Sequence, residues 1–320
     1  MRRVNRLLMF LGVLLCLVWS MAAEAAPKQE LDKENINAII LGDRLATVAY
    51  HLGVVPEALV ARCVWPAVTK GELSHIKRLG CPKRATVKDK KLVAEFAEKK
   101  GIKRILIENT GDFCRYMPDA NPMNIIPLLQ GKNVVLDVVD FNQGLEPAVR
   151  ATGKLLNREV EAEALLGKYA SDLARAKKKL PSAKLGKKVL ILNGIMVGKT
   201  GKSFIQVEAD GGYSDHFFLE PMGCESVGNL LMTKEKEASK GYFTLNNIAD
   251  IAKADPDIII VTGESFPVEK ALAGAARKNP ALNQVTALKN HEIYSLPAYM
   301  DGSVLDYPYL LMLWTGALYR

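Results

Sequence analysis

One uninterrupted helical run in the middle of the chain does most to limit its fold. Between Glu159 and Leu180, apolar residues fall at Val160, Ala164, Leu165, Tyr169, Leu173, Ala176 and Leu180, the three- and four-residue steps of a single helix face. Gly167 is the only helix-weakening residue inside it, Pro181 ends it, and Lys177 to Lys179 suit its carboxyl-end dipole. At about 1.5 Å per residue the helix is roughly 33 Å long, enough to join two domains. On both sides of it, short apolar runs alternate with helix-length segments. "NAIIL" at 37–41, "ALVARC" at 58–63, "RILIEN" at 104–109 and "NVVLDVVD" at 133–140 precede the helix; "KKVLILN", "DPDIIIVTG" at 255–263 and "EIYSLP" at 292–297 follow it. Strands separated by helices imply parallel sheets with crossover connections. The expected architecture is α/β: two Rossmann-like lobes, each with a parallel central sheet, joined by one long α-helix with a cleft between them. The boundaries are 27–157 for the first lobe, 158–181 for the link and 182–320 for the second lobe.

The first 26 residues read as a secretory signal peptide. Arg2, Arg3 and Arg6 give a basic start, Leu7 to Trp19 is an apolar run of 13 residues, and Ala23-Glu24-Ala25 places small residues for cleavage. The run is shorter than the ~20 residues that a membrane span needs. Cys16 lies within the run, which argues against a lipoprotein. The mature protein is therefore expected in the periplasm. Export makes ATP an implausible ligand. Cleavage removes three Arg and one Glu, so the net charge falls from +8 to +6. The surplus Lys residues sit at turns and helix ends, as at Lys99-Lys100 and Lys187-Lys188, and read as solvated faces. This charge supports at most a preference for anionic ligands, and no nucleic-acid partner is expected.

Several short motifs imitate catalytic sites. In "VLILNGIMVGKTGKS" (189–203), Gly198-Lys199-Thr200 resembles the end of a phosphate-binding loop. The first glycine of that motif would fall at Asn193, and no helix follows Lys199, so both spacing and context fail. Lys199-Thr200-Gly201 and Ser74-His75-Ile76-Lys77 imitate a serine acyl-transferase, but Gly80 and Pro82 come too soon for the helix that the Ser and Lys need. "NGIM" at 193–196 is read as the strand's exit into the cleft. His51, His75, His216 and His291 show no metal-ligand spacing. No cofactor is expected. Four mature cysteines, Cys63, Cys81, Cys114 and Cys224, contain no C-x-x-C. A disulfide among Cys63, Cys81 and Cys114 is the favoured reading, with Cys224 as a buried thiol. The same three cysteines carry the alternative function, a cysteine-dependent metal-ion binding or redox protein of the periplasm.

Longer stretches carry a resemblance. "GKLLNREVEAEALLGKYASDLARAKKKL", "LNNIADIAKADPDIIIVTG", "NPALNQVTALKNHEIYSLP" and "LGDRLATVAYHLGV" together resemble the class III (cluster A) periplasmic substrate-binding proteins of ABC importers, of iron-siderophore, haem and cobalamin type. The resemblance covers nearly all of the mature chain. It implies binding rather than catalysis, in a cleft between lobes, with a metal chelate or tetrapyrrole-like ligand, an ABC permease as partner and a monomeric state. It also marks departures: Thr47 and Asn246 stand where such proteins often carry Glu, and Asp89 is the nearest acidic candidate on the first lobe. Ligands of open parallel sheets bind beyond the carboxyl ends of the strands. The candidate ligand-binding residues are therefore Arg44, Trp65, Arg115, Tyr116, Asn142, Asn193, Met196, Glu264, Phe266 and Tyr299. Trp65 and Tyr116 would stack on a planar ligand, and Arg115 would pair with an anionic group. Trp314, on the last helix, reads as core.

Overall fold

The computed structural model describes residues 32–62, 66–111, 113–115, 117, 120–197, 200–233 and 241–320. Residues 1–31 and Cys63, Val64, Trp65, Tyr116, Gly198 and Lys199 lie outside them. Lys33–Arg320 forms one compact unit. Its first sheet is fully parallel and has five strands: β1 (Glu34–Leu41), β2 (Val54–Val60), β3 (Lys77–Gly80), β4 (Arg104–Asn109) and β5 (Val135–Asp140), in the order β3-β2-β1-β4-β5. Parallel strands are covered on both faces, so they read as continuous apolar runs. Side chains alternate between the faces. Ala38 and Ile40 pack with α1 (Asp43–His51) and α3 (Leu145–Leu156), while Ile39 and Leu41 pack with α2 (Leu92–Lys100).

The long helix forms as its periodicity requires, as α4 (Glu159–Lys179). Its start is gripped by α3 and its length by the last helix, α6 (Tyr307–Leu318). Gly153 makes the first grip close: a Cβ there would lie 2.7 Å from the Cβ of Ala162 on α4.

The second sheet is mixed. β6 (Lys188–Val197), β10 (Ile258–Gly263) and β11 (Ile293–Ser295) are parallel, whereas β7 (Lys202–Glu208) runs antiparallel to β6, and β9 (Tyr242–Thr244) antiparallel to β7. β8 (Glu225–Ser226) adds a short parallel pairing to β6. The expected parallel sheet is thus its core, extended by two antiparallel strands. "NGIM" is not an exit, because β6 continues through it: Asn193 pairs with Gln206 and Met196 with Ser203. Gly194 is there for space, since a Cβ would lie 1.8 Å from the carbonyl oxygen of Glu264. A glycine inside a strand often marks such a backbone approach. Leu190 and Leu192 face α5 (Ser265–Lys278), and Val189 and Ile191 face α4 and α6. Trp314 is fully buried on that side, stacked on Phe218 with ring centroids 4.3 Å apart, and its Nε1–H donates to the Pro297 carbonyl.

Cys81, Cys114 and Cys224 are free thiols, so no disulfide joins Cys81 to Cys114, and Cys224 is half-buried rather than buried. Ser74 lies in a turn and Lys77 begins β3, so the acyl-transferase helix does not form. Among the described residues no helix is long and apolar enough to cross a membrane.

Two substitutions test this packing. Gly194→Ala should destabilise the protein by about 3 kcal/mol, because the contact is backbone and cannot rotate away. Trp314→Ala should cost about 3–5 kcal/mol as a large core truncation. Both should lower the urea midpoint in equilibrium unfolding followed by far-UV circular dichroism.

Candidate ligand-binding site

The carboxyl ends of the first sheet meet the second lobe at a group of buried charges. Glu108 is a fully buried charged residue on β4, following the apolar run Ile105-Leu106-Ile107. Its carboxylate accepts from the backbone N–H groups of Arg44 and Leu45 at 2.9 and 3.3 Å, at the amino end of α1. A helix amino terminus has unpaired N–H groups and a positive dipole end, so a carboxylate is stabilised there. Gly42 precedes that helix at φ +125°, and a Cβ on it would collide with the Glu108 side chain. Burial pushes the Glu108 carboxyl up, and Arg44 acts against that shift.

Two arginines of the first lobe carry the charges onward. Arg44 reaches Glu108 at 2.8 Å and Asp301 at 3.1 Å. Arg62, two residues beyond β2, is only 2 % exposed. Its backbone N–H donates to Asp43 at 2.9 Å, its Nε–H donates to the same carboxylate, and its Nη1 donates to the Tyr213 hydroxyl at 2.9 Å. The Tyr213 hydroxyl donates in turn to Asp301. Burial opposes the charge of Arg62, but Asp43, Tyr213 and Asp301 overcome it and hold its pKa well above the ordinary value. Burial likewise pushes the Tyr213 phenol up, which keeps it a proton donor. Asp301 is thus the second-lobe carboxylate that engages both arginines. Beside it, the Thr47 hydroxyl donates to the Gly302 carbonyl at 2.6 Å. This contact gives the Thr that replaces the expected Glu a role of its own. A separate ion pair, Lys70–Glu264 at 2.7 Å, crosses between the lobes in a more exposed position.

The sequence-derived candidates are placed as follows. Arg44 is committed to the buried ion pairs. Arg115 also joins the lobes: its N–H donates to Tyr213 at 3.2 Å and its Nη1 to the Gly211 carbonyl at 3.2 Å. Asn142 ties the loop after β5 to the loop after β4, accepting from the Gly111 N–H and donating to Asp140. Asn193 sits half-buried inside β6. Met196 and Phe266 are exposed apolar residues, and Lys270 lies over the Phe266 ring. Tyr299 borders the charge cluster, its ring edge-on to Tyr213 with centroids 6.3 Å apart. It is buried against Phe217, Tyr307 and Phe218, and burial pushes its phenol up. Trp65, Tyr116 and Cys63 lie outside the described residues.

Asp43, Arg62, Glu108, Tyr213 and Asp301, which make up the junction cluster, are not among the sequence-derived candidates. The available signal was a charge inside an apolar run, as with Glu in "RILIEN" and Arg in "ALVARC". Among the described residues no three His, Cys, Asp or Glu side chains gather to hold a metal ion. A concavity of about 770 Å³ lies apart from this cluster, within the second lobe between α5, β7 and the segment after β9, with Phe204, Asn246, Lys270 and Lys278 in its wall. The charge cluster draws on strand ends of one lobe and loops of the other, which is where open α/β sheets hold ligands.

No curated protein matches the sequence. Several solved structures share the fold. The periplasmic heme-binding protein BhuT, solved with two hemes, aligns with a TM-score of 0.58 at 16% identity, over 89% of this chain and 100% of that one. The periplasmic heme-binding protein RhuT from Roseiflexus sp. RS-1, in apo form, gives 0.56 at 15% identity, over 91% and 98%. The triscatecholate siderophore-binding protein FeuA from Bacillus subtilis, with ferri-bacillibactin, gives 0.52 at 16% identity, over 88% and 92%. Residues 127–300 match the family described as periplasmic binding protein. That match spans more than half of the chain and runs from the end of the first lobe through the linking helix and most of the second, so the chain belongs to the periplasmic binding protein family.

Proposed function

We propose that the protein is a periplasmic solute-binding protein that delivers a metal chelate to an ABC importer. The chelate classes are ferric siderophores, haem and corrinoids. The observation that carries this reading is the meeting of both lobes at one buried polar cluster, on a fold shared with heme- and siderophore-binding proteins. The division into lobes at 27–157 and 182–320, linked by 158–181, and export through a cleaved signal peptide at 1–26 belong to the same proposal. Ligand enters between the lobes, a small hinge motion closes them, and the permease reads the closed form. The work is binding, with no bond made or broken, and a monomer suffices for it. The cysteine-based alternative needs thiols gathered with other ligands, and among the described residues Cys81 and Cys114 stand in no such group.

Calorimetric titration of the mature protein with ferric siderophores, ferric protoporphyrin IX and cobalamin is expected to give at least one Kd below ~10 μM, about −7 kcal/mol. Folded protein that binds none of them contradicts the proposal. The inter-lobe contacts give a second expectation. Asp301→Ala takes the second-lobe carboxylate from Arg44 and the acceptor from the Tyr213 hydroxyl, while Glu108 and Asp43 still pair the arginines, so the cost should be about 1–3 kcal/mol. Thermal unfolding should show that loss. Small-angle scattering of the ligand-free variant should show a larger radius of gyration than the parent.

A further inference from the structure

Arg62 has one donor too many for its surroundings. Asp43 accepts from its Nε–H and the Tyr213 hydroxyl oxygen accepts from Nη1–H, with Asp301 3.5 Å from that same nitrogen. Nη2 is buried and has no hydrogen-bond partner among the described residues. A buried guanidinium normally has its N–H groups satisfied, and an unmet one keeps a full desolvation cost. The nearby carboxylates are already engaged: Asp43 by Arg62 itself, Glu108 by Arg44 and the start of α1, and Asp301 by Tyr213 and Arg44. The Phe113 ring lies 5.1 Å from the guanidinium carbon. An aromatic face at that distance attracts the cation but does not accept its in-plane Nη2–H groups.

We propose that Nη2 of Arg62 is a recognition point for an anionic oxygen on the cargo, so that chelates bearing free carboxylates are preferred over ester- or amide-fringed ones. This rests on the reading that the junction of the lobes binds a chelate. A carboxylate would complete the guanidinium with a short charge-assisted bond. An ester or amide oxygen is a weaker acceptor and brings no charge.

The test compares ferric protoporphyrin IX, with two carboxylates, against its dimethyl ester and cobalamin, all in the same detergent. The parent protein should bind the diacid at least about ten-fold more tightly than the ester, a gap of about 1.4 kcal/mol. Arg62→Lys keeps the charge but removes Nη2, and should bring that ratio close to one. Removing Arg62 alone would strand Asp43, so Asp43→Asn with Arg62→Met tests the same loss with both charges gone. Folding is checked by circular dichroism. Folded variants that keep the parent's ratio overturn the inference and mean that Nη2 holds water only. Equal binding of diacid and ester by the parent, or cobalamin bound more tightly than the diacid, also overturns it while leaving the proposed function standing. Failure to bind either porphyrin overturns it too, and the function then stands or falls on the siderophore and cobalamin titrations.

Discussion

Asp301 brings a carboxylate from the second lobe to two arginines of the first, and the geometry of the lobe junction depends on that contact. Burying charges is unfavourable unless each is paired and hydrogen-bonded. The chain meets this condition by linking its charges. Glu108 takes the amino end of α1 and Arg44; Arg44 turns to Asp301; Asp301 accepts from Tyr213; Tyr213 accepts from Arg62; and Arg62 holds Asp43. Loss of one member leaves another stranded in a dry place. The contact therefore fixes how the lobes meet, and mutual dependence of this kind suits a protein whose lobes must come together in one way.

A good part of the fold was legible in the sequence. The parallel strands read clearly because they are buried on both faces, so Ile39, Ile40 and Leu41 are apolar without alternation. The linking helix read clearly because only one stripe of it is covered. β6 was cut short because Asn193-Gly194 has the composition of a turn. The glycine answers instead to the backbone of Glu264, some 70 residues away, which no local pattern records. β7 and β9 escaped for a similar reason: antiparallel additions to a parallel sheet need partners from elsewhere in the chain.

The site was less legible than the fold. Strand ends pointed to Arg44 and Arg115, both of which reach the junction. Yet the residues that organise it are far apart in sequence: Arg62 and Tyr213 by 151 positions, Tyr213 and Asp301 by 88. Tyr299 was chosen for its aromatic ring beyond the last strand, and that ring is buried between Tyr213 of the junction and the aromatic residues of the second lobe's core. An aromatic residue at a strand exit serves either purpose, and only the surrounding chain decides which.

The central claim is that the junction of the lobes holds a metal chelate. Native mass spectrometry of the protein recovered from its own cell envelope, with the visible absorption spectrum of the same sample, tests it most directly. A one-to-one adduct with the mass and absorption of a metal chelate is the predicted result. The bare chain alone, still bare after incubation with ferric siderophores, ferric protoporphyrin IX and cobalamin, would contradict it.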